Sequence, residues 1–239
     1  MENQLEIKNI SYKYEKDLVL KNINLSIKKA SFLVLLGLNG AGKSTLFALI
    51  TRLLKVQSGD IYIDSFHISN YKKALKDVGI VFQEPTLDLD LTVKQNLVFS
   101  GALKGLSFKE TMNSIKNEIK TMHLEEKLDT KVRTLNGGHR RRVEILRALI
   151  NEPKLLLLDE ATSGLDIKSR YEIIAYVKEI VKKRGISVLW ITHLFDEIEE
   201  NDEVAIIRKG EIVSQDLVKN LIEDNNMDSL TQVFETLTK

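Results

Sequence analysis

A glycine-rich loop carries the first residues whose types and spacing could do chemistry. GLNGAGKST, from Gly37 to Thr45, contains the spacing G-x-x-x-x-G-K-S after an apolar run. Glycines let the backbone curl so that successive N–H groups point at phosphate oxygens, and the start of a following helix adds partial positive charge. In such a loop, Lys43 would reach the β- and γ-phosphates, and Ser44 would ligate Mg²⁺. The loop therefore predicts a site for a nucleoside triphosphate with magnesium.

A second apolar run, LLLLDE, ends in two acids. It predicts a buried strand that brings Asp159 to the carboxyl end of the strands, where open α/β sheets bind ligands. Asp159 can hold Mg²⁺ there, directly or through water. Glu160 has the reach to polarise an attacking water as a general base. Beside the glycine-rich loop, these acids predict hydrolysis of the triphosphate.

The elements that must position these residues alternate between strands and helices. Apolar residues at period 2 predict strands in the first 27 residues, and the runs FLVLL, LLLLD and SVLWIT predict buried strands. Helical spacing of apolar residues predicts helices at Ser44–Leu54, Arg140–Ile150 and Ile167–Lys183, and a mostly helical stretch at 92–128. A short strand is expected at Glu211–Val213.

We therefore expect an α/β fold formed by one domain over residues 1–239. Its core is of the P-loop type, with an antiparallel β subdomain near the start of the chain. A helical subdomain is expected as an insertion at about 92–150, and a helical tail at 217–239.

Composition limits the class of protein. Of 239 residues, 43% are hydrophobic, which is enough for a sizeable core, and 35 basic against 34 acidic residues leave a net charge of +1. This balance argues against a protein dedicated to binding nucleic acid. The absence of cysteine excludes disulfides and thiolate metal sites. No apolar run approaches the ~20 residues of a membrane-spanning helix, so we expect a cytoplasmic chain whose membrane role would need a separate subunit.

Further motifs resemble those of the ATP-binding cassette (ABC) family, in the order that this family has them. LNGGHRRRVEILRAL, from Leu135 to Leu149, resembles the LSGGQ signature helix, and SGLD, from Ser163 to Asp166, resembles the D-loop. His193 matches the switch histidine, and Gln83, which ends VGIVFQ, matches the Q-loop glutamine. Tyr14 lies where the family places an aromatic side chain that stacks on adenine, although a tyrosine in a strand equally often only packs.

The resemblance implies a head-to-tail dimer in which ATP bound by one phosphate loop is capped by the signature of the other subunit. It implies catalytic roles for Glu160, His193 and Gln83, and Mg²⁺ ligands at Ser44, Gln83 and Asp159. The residues expected to bind ATP are Tyr14, Gly37, Asn39, Gly40, Ala41, Gly42, Lys43, Ser44, Thr45, Asn136, Gly137 and Gly138.

The signature departs from the family pattern at two positions. Asn136 replaces the usual serine and His139 the usual glutamine. The asparagine amide can still donate to a phosphate, and the histidine adds a pH-sensitive charge near the expected dimer seam. ATP binding is expected to persist and the site to be active, while the turnover rate stays open.

The strings LNGGHRRRVEI and TLDLDLTVKQNL are similar to exporter-type cassettes that accompany pyrroloquinoline-quinone-dependent alcohol dehydrogenase systems. The leading hypothesis is therefore an exporter ATPase on the inner face of the cell membrane, paired with a permease and a second, identical cassette. A mechanical ATPase that acts on a membrane protein without moving a solute has the same motifs and stays open.

Three consecutive arginines, Arg140 to Arg142, open the signature helix. On a helix they fan over most of a turn and cannot form one flat face for nucleic acid. We expect them to be solvated or to contribute a positive field on the phosphate side.

Overall fold

The computed structural model describes residues 2–238 and places the strands in two sheets. In chain order the elements are β1 Asn3–Tyr14, β2 Asp17–Lys28, β3 Phe32–Leu36, α1 Lys43–Ile50, β4 Ser58–Ile63, β5 Phe66–His67, α2 Tyr71–Ala74, β6 Val78–Val81, α3 Val93–Leu103, α4 Phe108–Ser114, α5 Lys116–Thr121, α6 Gly137–Leu149, β7 Leu155–Asp159, α7 Ile167–Arg184, β8 Ser187–Thr192, β9 Glu203–Arg208, β10 Glu211–Leu217, α8 Val218–Asp224 and α9 Leu230–Leu237.

The larger sheet has six strands in the order β10-β9-β3-β8-β7-β6. All neighbours in it are parallel except β9 and β10, which pair antiparallel. Because parallel strands end on the same side of a sheet, the loops after β3, β6, β7 and β8 all open at one edge. These four loops contain the phosphate loop, Gln83, Glu160 and His193, and Asp159 is the last residue of β7 at the same edge. The strand order therefore assembles the site from distant parts of the sequence.

The central strands are apolar on both faces because each face meets its own core. Leu155 and Leu157 point into the core shared with α1 and the smaller sheet. Leu156 and Leu158 point into the other core, which they share with residues of α3, α6 and α7. This double burial explains why the β7 sequence is continuously apolar and does not alternate.

The smaller sheet is antiparallel, with four strands in the order β2-β1-β4-β5. Between β6 and β7 lies the helical stretch formed by α3 to α6. Two of its helices begin at capping boxes: Thr92 with Gln95 before α3, and Ser107 with Glu110 before α4. The predicted α/β fold with an antiparallel subdomain and a helical region is confirmed.

Several predicted boundaries were wrong. Helix α1 ends at Ile50 and not at Leu54, because the backbone of Arg52 is left-handed, with φ +63°, and Leu53 beyond it is 65% exposed. Strand β10 continues four residues past Val213 to Leu217, since it stays paired with β9 to that point, across a register shift between Ile212 and Ser214. The tail after it is two short helices, α8 and α9. Within residues 2–238, no helix is long and apolar enough to cross a membrane.

Candidate functional site

The phosphate loop lines a cleft of about 370 Å³ at the open edge of the six-stranded sheet. The lining residues are Val19, Asn39, Gly40, Gly42, Lys43, Ser44, Thr45, Gln83 and Glu160. The cleft thus joins the loop after β3 with one residue from the loop after β6 and one from the end of β7. Residues more than a hundred positions apart in the sequence share this cleft.

Helix α1 begins at this cleft without a side-chain cap. Its N-cap is Gly42, with φ +108°, and a Cβ there would lie 2.7 Å from Cδ2 of Leu20. Glycine is required both by this backbone conformation and by the close approach of Leu20. Since no side chain of the described residues caps the helix and its first turn holds no acid, the N–H groups at its start can bind an anion. Ser44 and Thr45 lie in this first turn.

Lys43 lies in the floor of the cleft, and its amine folds back onto the loop. Nζ donates to the carbonyl oxygens of Gly37 at 2.7 Å and Leu38 at 3.1 Å, and lies 3.8 Å from Oε1 of Glu160. Burial lowers the pKa of Lys43, while the charges of Glu160 and Asp159 act in the opposite direction. The loop therefore holds a buried amine directly beside the acidic pair.

Glu160 connects three loops. Its Oε1 lies 3.1 Å from Nδ1 of His193, and its Oε2 accepts a hydrogen bond of 3.2 Å from Nε2 of Gln83. Its backbone is left-handed, with φ +44°, which is uncommon for a residue with a side chain, and its N–H donates to the carbonyl of Ile191 at 2.9 Å. This backbone conformation turns the side chain out of the line of β7 toward Gln83 and His193.

Asp159 is buried, with 6% of its surface exposed, and its Oδ1 has no hydrogen-bond partner among residues 2–238. Burial raises the pKa of Asp159 to about 6; the charge of Glu160 adds to the rise, and Lys43 and Arg141 oppose it. An unpartnered buried carboxylate oxygen is costly unless a cation meets it. Carboxylate, hydroxyl and amide oxygens are ligands that Mg²⁺ accepts, so Asp159, Ser44 and Gln83 fit that ion.

The other predicted site residues do not line this cleft. Tyr14 is exposed at the end of β1 and packs edge-on against Tyr12, with ring centroids 5.0 Å apart. Gly37 and Ala41 belong to the phosphate loop but are buried beneath it. Residues 136–138 lie at the start of α6 and are absent from the lining of the chain's own cleft.

Asn136 caps α6, because its Oδ1 accepts a hydrogen bond of 2.8 Å from the N–H of His139. A Cβ on Gly138 would lie 2.7 Å from Oγ of Ser169, so the helix start packs closely against α7. Burial, followed by the charges of Arg142 and Lys127, lowers the pKa of His139. The start of α6 is thus a capped helix end whose nearby histidine favours the neutral form.

The interpretation of the arginines as solvated or phosphate-facing was wrong for Arg141. Arg141 is buried and donates to the carbonyl oxygens of Phe82 and Gln83 and to the carboxylate of Glu144. Arg140 binds carbonyl oxygens of the preceding turn, and Arg142 pairs with Glu172. The R-x-x-E spacing of Arg141 and Glu144 on a helix was the signal that could have indicated an internal pair.

Comparison with known proteins agrees with this geometry. The sequence profile of the ABC transporter family matches residues 20–163. The chain is 38% identical over 211 residues to the spermidine/putrescine import ATP-binding protein PotA of Thermotoga maritima. That match covers 88% of this chain and 57% of PotA, so the chain spans little more than half the length of this relative.

Solved structures with the same fold are also ABC cassettes. The chain superposes on cbiO1 of Clostridium perfringens, part of the ABC transporter complex cbiONQ, with a TM-score of 0.82 and 30% identity over 99% of both chains. It superposes on a dimeric ATP-binding cassette in a post-hydrolysis state, bound to ADP and Pi, with a TM-score of 0.77 and 29% identity. That alignment covers 89% of this chain and 98% of the other.

ABC ATPases bind ATP and ADP with Mg²⁺ and pair with a second cassette, and the predicted cofactors ATP and Mg²⁺ are confirmed at this level. The profile match over more than half of the sequence and the identity to PotA agree with the cleft formed by the phosphate loop, Gln83 and Glu160. The chain therefore belongs to the ABC transporter family, as an ATP-binding cassette.

Proposed function

We propose that this cassette hydrolyses ATP in a head-to-tail dimer and thereby drives transport through separate membrane subunits. The observation that carries the proposal is the position of Glu160. Its carboxylate contacts Gln83 and His193 beside the uncapped start of α1, where the phosphates of ATP would bind. A carboxylate so placed can act as general base toward a water that attacks the terminal phosphate.

The roles of the residues follow from their places in the cleft. Lys43 leaves its two loop carbonyls to pair with phosphate oxygens, and the N–H groups at the start of α1 bind the same phosphates. Glu160 takes a proton from water, and His193 orients the carboxylate. Bound Mg²⁺, held by Asp159, Ser44 and Gln83, would neutralise charge on the phosphates.

The dimer is proposed because the start of α6 does not line the cleft of its own chain. Residues 136–138 form a helix start at which Asn136 and Gly137 are exposed, and the partial positive charge of a helix start suits it to bind a phosphate. In a head-to-tail dimer, the nucleotide in this position would belong to the partner's phosphate loop. The dimeric cassette to which the chain is similar supports this arrangement.

Coupling to a membrane protein is proposed from the relatives. One is described as an import ATP-binding protein, and another is part of a transporter complex. We place the chain on the inner face of the cell membrane, held by a permease that contacts the surface near Gln83 and the helical region. A mechanical ATPase without a transported solute uses the same residues and is separated from a transporter by identifying the membrane subunit.

The direction of transport has two candidates. The strings around the signature predict export of the type found beside alcohol dehydrogenase systems, but neither the fold nor the comparisons support that narrower assignment. The name of PotA, at 38% identity, favours import. We retain export as the prediction of the signature alone, and a flux measurement decides between the two.

The proposal is tested by copurification and flux. Membranes that contain the partner subunit should retain the cassette, and vesicles rebuilt from both should release phosphate from ATP together with solute movement. Equal recovery of the cassette from membranes with and without the partner would exclude the complex. ATP hydrolysis without any solute flux would favour the mechanical ATPase.

A further inference from the structure

Three side chains on one face of α6 hold the backbone of residues 82–86, which we call the Q-segment. Arg141 donates to the carbonyl oxygens of Phe82 at 2.7 Å and Gln83 at 2.8 Å. Glu144 accepts from the N–H of Thr86 at 2.8 Å, and Nη1 of Arg147 donates to the carbonyl of Thr86 at 2.8 Å. Both ends of the Q-segment are therefore fastened to the signature helix.

The central pair of this contact is buried. Arg141 is 6% exposed and Glu144 2% exposed, and their side chains are 2.7 Å apart. A buried ion pair is often replaceable by apolar residues of similar volume without loss of stability, because its desolvation cost offsets the attraction of the charges. Stability alone therefore does not explain why the pair is here. Its fork geometry, which holds two successive carbonyl oxygens, instead fixes where Gln83 lies.

Gln83 is consequently held from two sides. Its main-chain carbonyl is bound by Arg141 of α6, while its side-chain amide donates to Oε2 of Glu160 at 3.2 Å. Arg141 follows Gly138 by three residues, which is less than one helical turn. The residues at the helix start and the contact with the Q-segment thus belong to one short rigid element. Any displacement of this helix start carries the backbone of Gln83 with it.

We propose that Arg141 and Glu144 are positioning residues for hydrolysis, which tie Gln83 to the signature helix so that Gln83 meets Glu160 only when that helix is in place. This inference rests on the proposed function, in which Gln83 and Glu160 act on ATP. It adds a link between two nucleotide positions. In the dimer, a phosphate of the partner's nucleotide would bind at residues 136–138. It would thereby set the position of Gln83 in this chain's own cleft.

The test replaces the pair together, Arg141→Met with Glu144→Met, so that no unpaired charge stays buried. ATP affinity should stay within about 2-fold, because neither residue lines the cleft, while kcat should fall about 10-fold or more. In a Gln83→Ala background, the same replacement should change kcat by less than about 2-fold, since the link then has nothing to position. An equal loss of kcat in both backgrounds would overturn the proposal.

Arg140→Met is the matched control. It removes one positive charge from the same helix, but Arg140 binds the carbonyl oxygens of Val132 and Arg133 and not the Q-segment. It should leave kcat within about 2-fold of the wild type. Arg141→Lys keeps the positive charge but lacks the forked guanidinium. Its kcat should lie between that of the double methionine variant and that of the wild type. A kcat of the Arg141→Lys variant equal to that of the wild type would show that charge alone matters and would contradict the positioning role.

Hydrogen exchange tests the link without relying on turnover. In the wild type, ATP should change the protection of the Q-segment and of the start of α6 together. In the double methionine variant, the start of α6 should still respond as in the wild type, while the Q-segment should respond less than in the wild type. A Q-segment that responds equally in both proteins would refute the link. A wild type that binds ATP but never hydrolyses it would refute the proposed function. The hydrogen-exchange comparison would still test the link in that case, because it needs ATP binding and not turnover.

Discussion

Oε1 of Glu160 lies 3.1 Å from Nδ1 of His193, so that the acid at the end of β7 meets the imidazole that follows β8. The second carboxylate oxygen of Glu160 accepts from Gln83 at 3.2 Å. Both oxygens are thus engaged by residues of other loops, and these contacts fix the orientation of the carboxylate. A general base in a fixed orientation is what hydrolysis at a phosphate requires.

Replacing Glu160 by glutamine should stop turnover without preventing ATP binding. The amide keeps the size of the side chain but cannot accept a proton, so kcat should fall about 100-fold or more. With hydrolysis blocked, ATP should hold the dimer closed. Phosphate release and light scattering with ATP measure the two effects. Glu223→Gln, at an exposed position on α8, is the control and should behave as the wild type. A Glu160→Gln variant that stays monomeric with ATP would count against the closed dimer.

Replacing Lys43 by alanine should weaken ATP binding roughly 100-fold, because the amine supplies a charge-assisted contact to phosphate. The folded chain should survive the change, since within residues 2–238 the amine contacts two carbonyl oxygens of its own loop and the nearby carboxylate. Titration calorimetry with ATP measures the affinity, beside Lys72→Ala as an exposed lysine control. Retained affinity in Lys43→Ala would disprove the assignment of the phosphate loop.

The buried carboxyl of Asp159 should make stability depend on pH. Burial raises its pKa to about 6 in the folded chain, beside the charges of Glu160, Lys43 and Arg141. The unfolded chain releases this proton near pH 4. The protonated carboxyl therefore stabilises the folded chain at low pH, and this stabilisation is lost as the pH rises from about 4 to about 6. Asp159→Asn cannot ionise and should be more stable than the wild type at pH 8, by on the order of 2–3 kcal/mol.

Urea unfolding of both proteins at pH 4.5 and pH 8, without nucleotide or Mg²⁺, measures this difference. The stability gap between Asp159→Asn and the wild type should be small at the lower pH and large at the higher one. An equal gap at both values would show that Asp159 ionises normally in the folded chain.

The asparagine of the signature should support both the helix and turnover. Asn136→Ala removes the cap on the N–H of His139 and should cost about 1 kcal/mol of stability. ATP binding to the single chain should persist because Asn136 does not line that chain's own cleft. Asn136→Ser keeps a cap and should retain stability and turnover. Thermal unfolding and phosphate release check these outcomes. If the wild-type dimer closes on ATP without turnover and the Asn136→Ser variant hydrolyses ATP, the signature LNGGH is inactive.

The sequence by itself determined those features of the cleft that depend on neighbouring residues, namely the glycine loop and the buried strands beside it. The glycine spacing before Lys43 requires a backbone that only glycine adopts, and the structure shows this at Gly42, with φ +108°. The apolar runs of β3, β7 and β8 could be predicted because buried parallel strands are apolar on both faces. Helix ends without such a signal were less predictable: the left-handed residue Arg52 ends α1 early although the apolar spacing continues.

Only the tertiary structure decided which of these residues meet. Glu160, His193 and Gln83 lie in three different loops, and the strand order β8-β7-β6 makes these loops neighbours. The spacing of residues does not encode the strand order, because the strand order arises from pairing between strands that are far apart in the sequence. The burial of Arg141 also depended on tertiary packing: the R-x-x-E spacing could indicate a pair with Glu144, but two backbone carbonyl oxygens of a distant segment complete its stabilisation inside the protein. Local chemistry is thus specified by residue type and spacing, whereas contacts between loops depend on how the sheet and the helices pack.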